Sequence, residues 1–511
     1  MFCRVFSLGL LGLSSYVVGV EVDVSAGLPS FELVGLPDAA VKESRERVRA
    51  SLKNCGYDFP TGKIVINLAP ANVKKMGPLY DLPIFLGILK SSGQINVNLN
   101  QSCFLGELSL SGEIRRCSGV LPMVLQAKQE GFKNVFVPKE NELEASVVED
   151  INCFGISNVN QLIDFLMGKR IIQRTMCVDF DFENSGFDLD FKDVKGQKLA
   201  KRALEIAAAG GHNVLLIGSP GAGKSMLAKR LPSILPKLEF DEAVEITKIH
   251  SVAGKVMHDC ALITARPFRS PHHTISVAGL AGGGAGIKPG ELSMAHGGVL
   301  FLDELPEFKR EVKEILRQPM EDGEITISRA AFSVTYPCSV MVVAAMNPCP
   351  CGYYGHPKRQ CSCSRYKVEK YLSKVSGPLL DRLDLHVDVA PIEFSEMSAS
   401  DDLEESSIKI RQRVEKARKI QFMRYSKLEI NENGKLTASQ LKKYCKLTLS
   451  ARQTLELAFN RMGMSARAYS KILKVSRTIA DLAASEEIKK EHVLESLQYR
   501  GVDQKYWGNA V

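Results

Sequence analysis

The stretch Gly218-Ser219-Pro220-Gly221-Ala222-Gly223-Lys224-Ser225, set between the apolar run Asn213 to Ile217 and the helix-forming Met226 to Leu231, constrains this chain more than any other feature. A strand, a glycine-rich turn and a helix in that order form a cradle whose backbone N–H groups converge on phosphate oxygens, with the helix N-terminus adding partial positive charge. Glycines at 218, 221 and 223 let the main chain wrap a triphosphate without Cβ clashes. Lys224 is then placed for the β- and γ-phosphates and the Ser225 hydroxyl for Mg2+. About 80 residues on, Val299-Leu300-Phe301-Leu302-Asp303-Glu304 reads as a buried strand that delivers two carboxylates to its C-terminal edge, where open parallel sheets hold ligands. Asp303 would bind the Mg2+ and Glu304 would polarise the attacking water. Alone, the second string is core plus surface acid; in this order, the two together predict ATP binding and hydrolysis.

The length of 511 residues suits roughly three or four domains, and 45% hydrophobic residues let each bury a core. The formal charge of +8 is compatible with a polyanionic partner without requiring one. Arg4 and the apolar stretch Val5 to Val20 imitate a secretory leader, but Ser7, Gly9, Gly12, Ser14 and Ser15 interrupt it. It also runs into Val20-Glu21-Val22-Asp23-Val24, the alternation of a strand. No other stretch approaches a membrane-spanning length. Thirteen cysteines, an odd number spread through a long chain, suit reduced thiols. A cytoplasmic protein with no membrane partner is expected.

Residues 1–168 read as an α+β unit, with strands at 20–24, 63–68, 103–110 and 135–138 and helices at 39–55 and 82–90. Residues 169–190 read as a linker, 191–395 as the nucleotide domain and 396–511 as a lysine-rich helical domain.

Leu28-Pro29-Ser30-Phe31, Val34-Gly35-Leu36-Pro37-Asp38, Asn67-Leu68-Ala69-Pro70-Ala71 and Asp81-Leu82-Pro83 resemble the N-terminal domain of the ComM/YifB family, the magnesium-chelatase-like AAA+ ATPases. Arg266 to His273, Pro289-Gly290-Glu291, Ala295 to Phe301 and Ser465-Ala466-Arg467-Ala468 match the same family, so the resemblance spans nearly the whole chain. It implies an α/β fold class: an AAA+ P-loop NTPase core with a C-terminal helical lid. Gly106 to Gly112 and Phe136 to Asn141 further resemble the Lon protease domain, a ribosomal-protein-S5-like fold. Lon-type peptidases place a serine after a Gly-Pro pair and a lysine base downstream. Here Leu79 follows Gly77-Pro78 and the lysine position falls on or near Leu121, so acyl transfer has no route and the unit is read as non-peptidase.

By the same resemblance Asn347, at the end of the apolar stretch Ser339 to Met346, corresponds to sensor 1, although an Asn before Pro348 taken by itself is a turn residue. Arg382, in Gly377-Pro378-Leu379-Leu380-Asp381-Arg382-Leu383-Asp384, matches the arginine finger that reaches a neighbouring subunit's γ-phosphate. Taken alone, that string reads as a salt bridge to Asp381 or Asp384. Arg467 matches sensor 2. A finger supplied in trans implies a ring, by resemblance a hexamer.

Pro271 to Pro289, rich in glycine, is expected to face the ring pore, and Glu324 to Tyr336 to form a β-hairpin. Arg269, Lys288 or Arg329 would contact DNA phosphates there, or these are surface loops with ordinary basic residues. His272 and His273 are expected to be structural, with diverging side chains. Cys349-Pro350-Cys351 and Cys361-Ser362-Cys363 place four thiols on one short loop, as tetrahedral zinc requires. C-x-C is tighter than the usual knuckle, and a reduced surface loop is the alternative. The resemblance implies a motor that remodels branched or single-stranded DNA in recombination or natural transformation, with recombination proteins as further partners. The alternative is a magnesium-chelatase-like or protein-remodelling ATPase.

Overall fold

The computed structural model describes residues 1–177, 180, 182, 189–284, 287–329, 332–391, 404–428 and 430–508. The boundary expected at 395 and much of the expected linker lie outside these residues.

The first apolar stretch is half of a long hairpin: β1 (Phe2–Leu11) pairs antiparallel with β2 (Ser14–Ser25) from Phe2↔Asp23 to Leu11↔Ser14. Val18, Val20 and Val22 point into the core while the residues between them are half-exposed, which is the alternation read in the sequence. With β3 (Ser30–Val34), β4 (Lys63–Ala69), β5 (Ser102–Phe104), β6 (Asn134–Pro138) and β7 (Asn152–Ile156) they form a seven-stranded mixed sheet, ordered β3-β4-β2-β1-β5-β6-β7. The helix expected over 39–55 is broken at Glu43, and its second part, α1 (Ser44–Asn54), turns Ser44 and Arg47 in toward Asp81. Asp81 opens α2 (Asp81–Ser91), which is apolar all round because it is buried between α1 and the sheet. Its fully buried carboxylate accepts bonds from Ser44 Oγ, from Arg47 Nε at 2.6 Å and from the Leu108 N–H at 3.2 Å. A buried charge is tolerated on such terms, and this is the physical content of Asp81-Leu82-Pro83.

A second sheet is five-stranded and wholly parallel, from β8 (Val214–Gly218), β9 (Phe268–Arg269), β10 (Val299–Leu302), β13 (Met341–Met346) and β14 (Leu385–Val389), ordered β9-β10-β13-β8-β14. The strands β11 (Glu324–Arg329) and β12 (Phe332–Pro337) make the expected hairpin as a separate ribbon. Helix α3 (Val120–Gln129) of the first unit packs on α6 (Phe240–Val252) of the second, with α4 (Lys198–Gly210) and α5 (Lys224–Arg230) between them in the chain. The Gly119 N–H donates to Ser251 O at 2.9 Å, and Ala243 and Ile246 join the first unit's core. The turn of the β1–β2 hairpin reaches the ribbon, with Gly12 against Val334. Helix α7 (Arg365–Leu372) follows β13.

The C-terminal part is helical: α8 (Ser407–Tyr425), α9 (Leu449–Met462), α10 (Ala466–Leu482) and α11 (Lys490–Trp507). α8 and α10 pack on α4, and α11 packs on β14. Among the described residues no helix is long and apolar enough to cross a membrane.

Glu432 ties this bundle together, pairing with Arg418 of α8 and with Lys435 at 3.2 Å. Burial alone would raise its pKa, but the two cations outweigh it and hold it at about 2 against an ordinary 4.5. A depressed carboxylate stabilises the fold above its unfolded pKa and loses that contribution as pH falls. Between pH 4.5 and about 2, Glu432→Gln should therefore show a shallower loss of unfolding free energy than the parent, by about 3 kcal/mol in all. Urea titrations across that range check this, and parallel curves would refute it.

Candidate functional site

The sheet order brings the sequence motifs together. β13 lies between β8 and β10, so the loop after β8, the carboxylates after β10 and the residue after β13 open onto one edge. Gly218 ends β8 where a Cβ would stand 2.5 Å from Val389 O, so only glycine lets β14 come this close. Gly221 and Gly223 take φ of +79° and +89°, the left-handed turn that hands the chain to α5. Lys224, almost completely buried, donates to Gly218 O at 2.7 Å, Ser219 O at 3.0 Å and Asn347 Oδ1 at 3.1 Å. Burial lowers its pKa, against a smaller opposing pull from Asp303. Ser225 Oγ donates to Asp303 Oδ2 at 2.7 Å, which places both expected Mg2+ ligands side by side. Pro220 and Ala222 complete the turn, with the Ala222 N–H on Ser219 O at 3.2 Å.

Glu304 stands in the left-handed region at φ +54°, a strained conformation for a side chain of this size, and its carboxylate is exposed. His273 Nδ1 lies 3.3 Å from Glu304 Oε2. This contact corrects one expectation, because His272 and His273 do not diverge. Their rings lie 4.1 Å apart at 34°, because the Thr274 hydroxyl holds His272 Nδ1 at 2.9 Å while Glu304 and Phe308 draw His273 to the same side.

Arg382 pairs with neither Asp381 nor Asp384 but with Glu321, at 2.6 Å, and donates to Pro378 O at 2.8 Å. Arg467 is exposed in the first turn of α10. Arg269 is paired with Glu291 through two bonds of 2.6 Å. Lys288 is exposed on a short ribbon with Gly283; Gly286 and the side chain of Arg329 lie outside the described residues. Leu79 and Leu121 are buried. The sulfurs of Cys349, Cys351, Cys361 and Cys363 all lie within 4.8 Å of one another, a donor set that suits zinc.

Three comparisons with known families cover most of the chain. Residues 190–397 match the family described as magnesium chelatase, subunit ChlI; residues 20–141 match subunit ChlI of Mg-chelatase; residues 404–500 match the ChlI C-terminal family. The chain is 42% identical to competence protein ComM of Haemophilus influenzae over 507 residues, covering 98% of this chain and 97% of the relative. It is also 42% identical to YifB of Escherichia coli over 497 residues, 96% of each. A 95-residue stretch is 33% identical to DNA repair protein RadA of Listeria monocytogenes, covering 19% of this chain and 21% of RadA. The chain belongs to the ComM/YifB family of magnesium-chelatase-like AAA+ proteins.

Membership in the ComM/YifB family implies ATP and Mg2+ as ligands. One group of residues near the site escaped the motif reading. A cleft of about 380 Å³ is lined by Glu304, Asn347 and Pro350 and by Lys367, Lys370 and Lys374 along and just beyond α7. The signal was present as lysines three and four residues apart on a helix following the sensor strand.

Asp303→Asn keeps an acceptor for Ser225 but removes a charge from the Mg2+ position. Binding of a fluorescent ATP analogue should weaken about tenfold or more with Mg2+ and stay unchanged in chelator. Equal loss in both conditions would contradict the assignment.

Proposed function

We propose that this protein is a ring-forming ATPase, by family a hexamer, that couples ATP hydrolysis to remodelling of branched or single-stranded DNA. The reading rests above all on the convergence of Lys224, Ser225, Asp303, Glu304 and Asn347 at one sheet edge. Lys224 and the turn Gly218 to Gly223 take the triphosphate, whose charge replaces the weak neutral partners of the buried ammonium. Ser225 and Asp303 would hold Mg2+, which would supply neutralisation of phosphate charge when bound. Glu304 polarises the attacking water and Asn347 orients it.

Arg382 acts on the neighbouring subunit. Its bond to Glu321, which is half-exposed, is a weak restraint of ~0–1 kcal/mol that a γ-phosphate in trans can displace. Arg467 at the start of α10 reports nucleotide state to the lid. The units are 1–168, a non-peptidase Lon-like module for binding or for organising the ring, the linker 169–190, the ATPase core 191–395 and the lid 396–511. Arg269, Lys288 or Arg329 meets DNA phosphates. The cysteine quartet holds zinc as a structural ion, and recombination proteins are the expected partners. A protein-remodelling or chelatase-like ATPase is the second reading, favoured by the ChlI description of all three matched families.

Branched or single-stranded DNA should stimulate ATP turnover, with a steep dependence on salt. Lys224→Ala and Glu304→Gln should abolish the stimulated rate. Equal rates with and without DNA, under salt permissive for binding, would favour the second reading. Arg382→Ala should lower turnover by about a thousandfold, and mixing it with inactive Lys224→Ala protein should restore part of the rate. No recovery on mixing would argue against a finger in trans.

A further inference from the structure

Between the end of β13 at Met346 and the start of α7 at Arg365 the chain has no helix or strand. It is organised around the cysteine quartet. Cys349 Sγ lies 3.3 Å from Cys351 Sγ and 3.7 Å from Cys361 Sγ, and Cys351 Sγ lies 3.5 Å from Cys361 Sγ. A disulfide needs about 2.05 Å, whereas four sulfurs each about 2.3 Å from a tetrahedral zinc lie about 3.8 Å apart. The spacing is that of ligands around an ion.

What the loop touches is more informative. On one side Gly352, at φ +83°, lies so close to the phosphate loop that a Cβ there would meet Pro220 Cδ at 2.4 Å. On the other, the Tyr354 ring sits 6.4 Å from that of Tyr506, and Gly355 abuts Lys505. Lys505 and Tyr506 belong to α11 and both bind Asp388 of β14. The Tyr354 N–H donates to Cys349 Sγ at 3.3 Å, so the residue that meets α11 is anchored on a ligand atom. Cys349 itself is two residues from Asn347, the partner of Lys224.

We infer that one zinc ion, held by Cys349, Cys351, Cys361 and Cys363, clasps the phosphate loop to the C-terminal helix, so that metal occupancy sets both nucleotide affinity and the docking of that helix. This rests on the zinc and nucleotide assignments proposed above. Metal binding to such a loop is coupled to its folding. The ion would fix the four-cysteine turn that carries both Gly352 and Tyr354.

The test uses the full-length protein, with zinc per chain from atomic emission, affinity for a non-hydrolysable fluorescent ATP analogue, and amide exchange along α11. The expected parent contains about one zinc per chain. Cys351→Ser with Cys363→Ser should lose it, weaken analogue binding by about 10–100-fold and speed exchange in α11. Gly352→Ala keeps all four thiols; it should retain zinc yet bind the analogue more weakly, because its methyl displaces Pro220. Tyr354→Ala should retain zinc and analogue affinity and speed exchange in α11 alone. A parent that neither contains nor takes up zinc would overturn the clasp while leaving the nucleotide site intact. A zinc-loaded parent that does not bind the analogue would instead sink the nucleotide reading on which the clasp depends. Zinc-free variants with parental affinity and exchange, or Gly352→Ala with parental affinity, would overturn the clasp alone.

Discussion

Lys224 carries its ammonium into surroundings that exclude most water, and the oxygens of Gly218, Ser219 and Asn347 stand in for the lost hydration. Neutral oxygens solvate a cation without neutralising it, and burial disfavours the charged form, as the lowered pKa of this lysine records. The ammonium thus has no anion among its hydrogen-bond partners, and the strands around it set what it can meet. β8 ends at Gly218 against Val389; β13 runs beside β8 and delivers Asn347; β10 runs beside β13 and delivers Asp303. Strand order is the means by which residues far apart in sequence share one buried cation.

The parts of this arrangement that follow from local chemistry were legible in the sequence. The phosphate loop, the Asp-Glu strand and the hairpin at 324–336 each combine a period with a turn signal, and each lies where the residues indicate. What escaped depends on neighbours brought by the sheets. The close approach of His272 and His273 goes with the contacts of His273 to Glu304 and Phe308 beyond β10, which no pair of adjacent histidines discloses. Arg382 finds Glu321 rather than either flanking aspartate, because the intervening chain folds back on it. The helix at 39–55 breaks where Ser44 and Arg47 are drawn to Asp81, a partner more than a turn signal away. In each case a side chain's best partner lay in another element, and spacing within one element carried no trace of it.

The three parts of the chain are joined by polar contacts as well as by packing. Between the first unit and the core, Glu144 accepts from both the Leu121 N–H, at 3.0 Å, and Ser251 Oγ, so one buried carboxylate spans α3 and α6. Between the second sheet's unit and the C-terminal helices, Lys471 of α10 reaches Asp384 at 3.0 Å, two residues from Arg382, while His212 Nε2 meets Thr478 Oγ1 at 2.8 Å. Burial pushes the Lys471 ammonium down to about 8, and Asp384 holds it in part against that push. A rotation of α10 is therefore felt directly by the segment that carries Arg382, and each joint is a small set of buried charges with few alternative partners.

The contact of Gly12 with Val334 joins the turn of the first hairpin to a residue about 320 positions later, a long loop to close during folding. Leu13 in the same turn packs partly against the core that surrounds the second sheet. At ribosomal rates of about 5–20 residues per second, that partner emerges roughly 15–60 seconds after the hairpin. The strands of the first sheet all lie within residues 2–156 and can pair long before then. During synthesis this leaves a formed sheet with an apolar tip still bare, and the closing of that tip on the ribbon becomes a late docking step between units already built.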